Sequence, residues 1–101
     1  MPQAYVYLIS NKSHTLYCGI ATDLRMRIEE HRTGAYANAF TARYHFDRLV
    51  WFELVASLGA AAKREKQVKA WPRARKVALI QTGNPNWNDL SPRLDPLRLF
   101  E

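Results

Sequence analysis

Five side chains in this sequence have the types that phosphodiester chemistry uses. Tyr7 and Tyr17 lie in two short segments, Tyr5-Val6-Tyr7-Leu8-Ile9 and Leu16-Tyr17-Cys18-Gly19-Ile20. Arg27 and His31 stand one helical turn apart, and Glu65 is the lone acid among seven basic residues between Lys63 and Lys76. Cutting a phosphodiester requires an activated water, neutralised phosphate charge and a stabilised leaving oxygen. A guanidinium offers a bidentate fork to phosphate. An imidazole can take a proton or orient a phenol. One carboxylate can hold Mg²⁺ or Mn²⁺, hard cations that prefer oxygen and keep much of their water. A phenol, with a free pKa of about 10, needs a nearby cation to work at neutral pH.

These residues must be positioned by regular elements. Ala4 to Ile9 places Tyr5, Tyr7 and Ile9 on one face and Val6 and Leu8 on the other, as in a strand buried on both sides. Leu16 to Ile20 reads as a second strand. Asn11 and Ser13 between them suit a turn, so the pair predicts an antiparallel hairpin. Thr22 or Asp23 can cap a helix over about Leu24 to Arg32, stopped by Gly34. On it Leu24, Ile28 and His31 share a face, with Arg27 beside them. Residues 34–47 have no clean period and read as a loop with a short helical turn, ending near Asp47. Arg48 to Val55 reads as a third strand, with Val50, Phe52 and Leu54 on a fully buried face. Leu49, Trp51, Glu53 and Val55 occupy the other, where Glu53 needs water or a partner. Ser57 can cap a helix over Leu58 to Ala70, with Ala61, Glu65 and Val68 on one face. Pro72 suits the first position of a last helix, Arg73 to Thr82, closed by Gly83, with Val77, Leu79 and Ile80 facing the core. The order β-β-α-β-α-α predicts an α+β domain with a small, mostly antiparallel three-stranded sheet flanked by helices. One domain is expected over residues 1–90 and a loosely held tail over 91–101.

Charge narrows the class. The 101 residues carry a net +6, and the stretch Lys63 to Lys76 alone carries +6. Lys63, Arg64, Lys66, Lys69, Arg73, Arg75 and Lys76 form a stripe suited to a polyanion, with nucleic-acid phosphate the first candidate. A solubilising helix face is the plainer reading. With Cys18 the only cysteine, an intramolecular disulfide or multi-cysteine zinc cluster is excluded. No apolar run reaches the ~20 residues of a membrane span. No secretory leader is recognisable, and a cytoplasmic setting is expected.

The two tyrosine segments, the Arg27/His31 helix and Glu65 together resemble the GIY-YIG nuclease superfamily, over roughly residues 4–90. Tyr5-Val6-Tyr7 stands where the first family motif reads Gly-Ile-Tyr. Tyr17-Cys18-Gly19 stands where the second reads Tyr-Ile-Gly, so both phenols and Gly19 are kept while the other motif positions differ. Asp23-Leu24-Arg25-Met26-Arg27, Arg64-Glu65-Lys66-Gln67 and Asn84-Pro85-Asn86-Trp87-Asn88-Asp89-Leu90 look like the small, single-domain bacterial branch. The resemblance implies a catalytic set of Tyr7, Tyr17, Arg27, His31 and Glu65, with Tyr5 and Gly19 as structural motif positions. It makes Tyr7 the general base or water-orienting phenol and Glu65 the ligand of one Mg²⁺ or Mn²⁺. Asn84 matches a functional asparagine of some family nucleases, although a turn role before Pro85 is the alternative.

Each residue also has a plainer reading. Tyrosines in strands pack, a helix histidine is usually structural, and Glu65 can pair with Lys69 at i,i+4. Cys18 is expected to be buried rather than nucleophilic, and Trp51 and Trp71 to anchor the core or a groove. Thr33 to Asn38, Thr41, Arg43 and Tyr44 are further candidates for DNA contact. The expected activity is a metal-dependent DNA endonuclease, structure-specific in repair or recombination. A non-catalytic nucleic-acid-binding module and an interaction scaffold are the rivals. DNA is the expected partner, with RNA, substrate form and oligomeric state left open.

Overall fold

The computed structural model describes residues 3–35 and 44–94. Three strands, β1 (Ala4–Ser10), β2 (Leu16–Ala21) and β3 (Arg48–Val55), form one antiparallel sheet in the order β2-β1-β3. The helices are α1 (Leu24–Thr33), α2 (Leu58–Ala70) and α3 (Arg73–Gly83), followed by a short 3-10 turn at Ser91–Leu94. The expected fold class and element order are therefore those of the structure. The chain's most evenly apolar segment is the central strand, where both faces can be covered. Val6 and Leu8 point into a core built with α2 and α3, through Ala61, Val68 and Ile80. Tyr7 and Ile9 point into a second core built with α1, through Leu24 and Ile28. Burying each such large side chain stabilises by roughly 1.5–3 kcal/mol.

Local chemistry sets the helix ends. The Asp23 carboxylate accepts from the Met26 amide at 3.1 Å, and Gly34 closes α1 with φ of 81°. Ser57 Oγ accepts from the Ala60 amide at 3.1 Å and starts α2. Pro72 occupies the N-cap of α3 rather than its first helical position, because its ψ of 154° is extended. Asn84, not Gly83, is the residue at which α3 ends. In the hairpin loop, Asn11 Oδ1 accepts from the amides of Ser13 and Thr15, each at 3.0 Å, an Asx-type closure.

One expectation is corrected in β3. Strict alternation put Val50, Phe52 and Leu54 on one fully buried face. The register with β1 instead shifts between Leu8, opposite Trp51, and Ile9, opposite Leu49. This bulge flips the strand's start, so Leu49 joins Phe52 on the α1 side while Val50 joins Trp51 and Val55 on the other. Leu54, near the strand's end, is 47% exposed. Glu53 does find its partner, Arg64 Nε of α2, at 3.0 Å.

The segment after α3 straps the outer edge of β3. The Leu90 amide donates to the Leu49 carbonyl at 2.7 Å, the Leu49 amide to Asp89 Oδ1 at 3.1 Å, and Asn84 Nδ2 to the Val50 carbonyl at 3.2 Å. Arg32 of α1 clamps the strap through Asp89 Oδ2 at 2.6 Å and Ser91 Oγ at 3.0 Å. Burial pushes the Asp89 carboxyl up. The Ser91 hydroxyl and amide, the Leu49 amide and the Arg32 guanidinium together outweigh it and hold the group below the usual carboxylate range. Ser91–Leu94, part of the expected tail, is thus tied to the body. The rest of that tail, 95–101, lies outside the described residues, as do Tyr36 to Arg43 between α1 and β3. Among the described residues no helix is long and apolar enough to cross a membrane.

Candidate active site

Tyr7 sits at the middle of the sheet, opposite Gly19 on β2 and Phe52 on β3. It is fully buried, and its ring lies across Gly19. A Cβ at position 19 would stand 2.5 Å from Tyr7 Oη and 2.6 Å from Cζ, so only glycine leaves room for this phenol. The phenol then reaches α1, where Tyr7 Oη lies 3.0 Å from His31 Nε2. Either the phenol donates to a bare ring nitrogen or the imidazole N–H donates to the phenol oxygen. Tyr17 meets the same imidazole edge-on, with ring centroids 5.6 Å apart; the Tyr7 ring does so at 5.9 Å.

His31 is buried, 7% exposed. Burial, and then the Arg27 guanidinium, push its pKa down from 6.5 to about 4, so the imidazole is neutral at pH 7. Arg27 is itself positioned: Nη1 donates to the Ile20 carbonyl of edge strand β2 at 3.2 Å, and Nε pairs with Glu30 at 3.3 Å. One turn of α1 therefore delivers a cation and a neutral base to the same place.

Glu65 comes from the other side of the sheet. Its Oε1 lies 3.5 Å from Lys69 Nζ, and that ammonium stands 5.8 Å from the centre of the Tyr17 ring. Because β2 is an edge strand, α2 can reach past it in this way. Tyr7, His31, Tyr17, Lys69 and Glu65 thus form an unbroken series of contacts, with Arg27 beside the imidazole. Tyr5 stands apart: it packs edge-on against Phe52 at 5.9 Å and lines a hollow of about 570 Å³ with Arg25 and Arg93. Asn84 is buried and spends its side chain on the strap, donating to the Val50 and Asn88 carbonyls and accepting from the Asn88 amide. Cys18 is buried facing α2. Burial and then Glu65 push its thiol up to about 11, which leaves it protonated and unreactive.

Among the described residues no group of three or more His, Cys, Asp or Glu side chains could hold a metal ion. A single carboxylate, 23% exposed, suits only an ion that keeps most of its water and takes further oxygens from a substrate phosphate, as Mg²⁺ does. Glu65 fits that requirement.

The basic stripe divides. Lys63, Lys66, Lys69, Arg73 and Arg75 are exposed, and Arg64 and Lys76 half-buried. Arg64 is committed to Glu53, and Arg73 donates to the His14 carbonyl at 2.7 Å. Arg64 and Arg75 both stack on Trp71, at 5.2 and 4.1 Å from its ring centre. The sequence pairs Lys69 with Glu65 through their spacing, but carries no signal that Lys69 also meets Tyr17 or that Trp71 takes two guanidinium groups. Both depend on how α2 lies against β2 and α3.

The GIY-YIG catalytic domain family matches residues 3–78. The chain is similar to a UPF0213 protein of Syntrophus aciditrophicus, 37% identical over 81 residues that cover 80% of this chain and 93% of the relative. A UPF0213 protein of Vibrio cholerae is 38% identical over 77 residues, 75% of each chain. The solution NMR structure of a UPF0213 protein from Bacillus halodurans superposes with a TM-score of 0.53 at 30% identity, covering 84% of this chain and 89% of that one.

Proposed function

The chain belongs to the GIY-YIG catalytic domain family, and from that premise we propose that it is a metal-dependent endonuclease hydrolysing phosphodiester bonds in DNA. The observation that carries this reading is the contact series from the Tyr7–His31 hydrogen bond through Tyr17 to Lys69 and Glu65, flanked by Arg27. An interaction scaffold gives no reason to assemble it. Arg27, fixed on the Ile20 carbonyl through Nη1 and on Glu30 through Nε, brings positive charge to the scissile phosphate and neutralises charge there. Tyr17, half-buried at the sheet edge, orients the attacking water or a phosphate oxygen. Glu65 would hold the Mg²⁺ or Mn²⁺ ion, whose chemistry when bound is to lower the pKa of water and stabilise the leaving oxygen. His31, neutral because it is buried, orients the Tyr7 phenol through Nε2. Tyr7 is fully buried and meets His31 directly, so in this reading it works through the imidazole rather than on the water itself.

The exposed lysines of α2 and the Arg75–Trp71 stack supply the phosphate-facing surface. Action on branched or damaged DNA in repair or recombination, in the cytoplasm, is the corresponding cellular role. The test is incubation with labelled single-stranded, duplex and branched DNA in Mg²⁺, Mn²⁺ or EDTA, beside Glu65→Ala. Metal-dependent cutting lost in the variant is expected, and the preferred substrate identifies the role. One observation favours a second reading: Glu65 is already neutralised by Lys69, as suits a binding module that needs no metal. Tight, salt-sensitive binding without cutting would select that reading.

A further inference from the structure

Lys69 is placed where the chemistry of Glu65 has to pass it. Its ammonium lies 3.5 Å from Glu65 Oε1 and rests over the face of Tyr17, 5.8 Å from the ring centre. The two contacts hold one positive charge between the acid and the phenol. The side chain is 49% exposed, so the ammonium is free to move outward on its flexible stem. A dication approaching Glu65 therefore meets a cation already on the same carboxylate oxygen, and like charges at this distance repel. A phosphodiester changes the balance. It offers anionic oxygens that can take the ammonium from Glu65, and other oxygens that can complete the shell of a divalent ion.

Resting on the proposed metal role of Glu65, we propose that Lys69 is an exchangeable counter-cation that couples metal loading to substrate phosphate. Without phosphate, Lys69 competes with divalent ions for Glu65. With phosphate present, the ammonium transfers to it and the carboxylate opens. Because coupling is reciprocal, metal strengthens phosphate binding by the factor by which phosphate strengthens metal binding. Glu65 thereby holds an ion more tightly when there is something to cut.

The measurement is Mn²⁺ binding by electron paramagnetic resonance, on the free protein and with dimethyl phosphate as an uncleaved phosphodiester probe. Lys69→Met keeps the stem and removes the charge. It is expected to raise Mn²⁺ affinity of the free protein by about three- to tenfold and to shrink the gain that dimethyl phosphate gives the wild type. Lys69→Arg, which keeps the charge, should stay near the wild type. Arg25→Met, which removes an exposed charge from α1, should change affinity less than about twofold. Unchanged or weaker Mn²⁺ binding in Lys69→Met would overturn the proposal, as would Lys69→Arg behaving like Lys69→Met. Glu65→Gln separates the two levels. If it loses Mn²⁺ binding, the metal role of Glu65 stands whatever Lys69 does. If it binds Mn²⁺ as the wild type does, that role fails and the coupling fails with it.

Discussion

The two faces of the sheet are built to different rules. Toward α2 and α3 the interior is Val6, Leu8, Cys18, Val50, Ala61, Val68 and Ile80, with charge kept to its rim in Glu53–Arg64 and Glu65–Lys69. Toward α1 the interior holds Tyr7 and His31 together with Leu24, Ile28 and Leu49, and it accepts a buried phenol–imidazole hydrogen bond. A buried polar group is costly unless paired, and the second face takes on that cost only where the candidate chemistry lies. One side of the sheet is apolar through its interior and brings Glu65 and Lys69 only at its rim, whereas the other holds its reactive pair, Tyr7 and His31, inside.

The contrast can be broken from either side. Arg27→Ala, on the α1 side, should lower cleavage by about a thousandfold, roughly 4 kcal/mol of transition-state stabilisation. Its unfolding free energy should stay within about 1 kcal/mol of the wild type. Cleavage kinetics beside urea denaturation would test both halves. Ile80→Ala, on the α3 side, should do the reverse. It removes a fully buried side chain and should cost about 3 kcal/mol of stability, while turnover per folded molecule is kept. Equal damage to activity and stability in both variants would dissolve the distinction.

A pH series sharpens it. His31 has a folded pKa of about 4 against 6.5 for the unfolded chain. Between these values the unfolded chain takes up a proton that the folded one refuses. Its contribution is therefore complete above about pH 6.5 and declines as pH falls toward 4, by roughly 3 kcal/mol at most. His31→Gln should flatten that part of the denaturation-versus-pH curve, whereas Ile80→Ala should only displace it. The smallest effect belongs to the rim: Glu53→Gln weakens a partly exposed pair and should change stability by less than about 1 kcal/mol.

Much of this frame was legible because local chemistry determines it. Asp23, Gly34 and the spacing of Leu24, Ile28 and His31 define α1, and the structure buries those same three residues. Ser57 and Pro72 mark out α2 and the start of α3 in the same way. The bulge in β3 was hidden because Leu49, Val50, Trp51 and Phe52 are all apolar, and alternation cannot reveal a shift within an unbroken apolar run. The candidate site residues could be named in order along the chain, and Tyr7 falls in a strand read as buried on both sides, but nothing in the sequence shows that Tyr17 lies at the sheet edge or that Tyr7 reaches His31. The strap's sequence, Asn84-Pro85-Asn86-Trp87-Asn88-Asp89-Leu90, shows Asn, Pro and Asp but not the partners they reach. Asp89 gains its role only through the distant partners Arg32 and Leu49.

That strap has a consequence for how the protein is made. The outer edge of β3 is bonded at Leu49 and Val50 by groups from residues 84–90, whereas the strand itself ends at Val55. At ordinary synthesis rates the intervening chain takes on the order of seconds to emerge. Throughout that interval a growing polypeptide carries an uncapped sheet margin able to recruit a neighbour's strand. Nascent chains crowded on one message are then the population most exposed to mispairing. Asp89→Ala, which loosens the latch, should increase aggregation during synthesis more than it lowers the equilibrium stability of the finished protein.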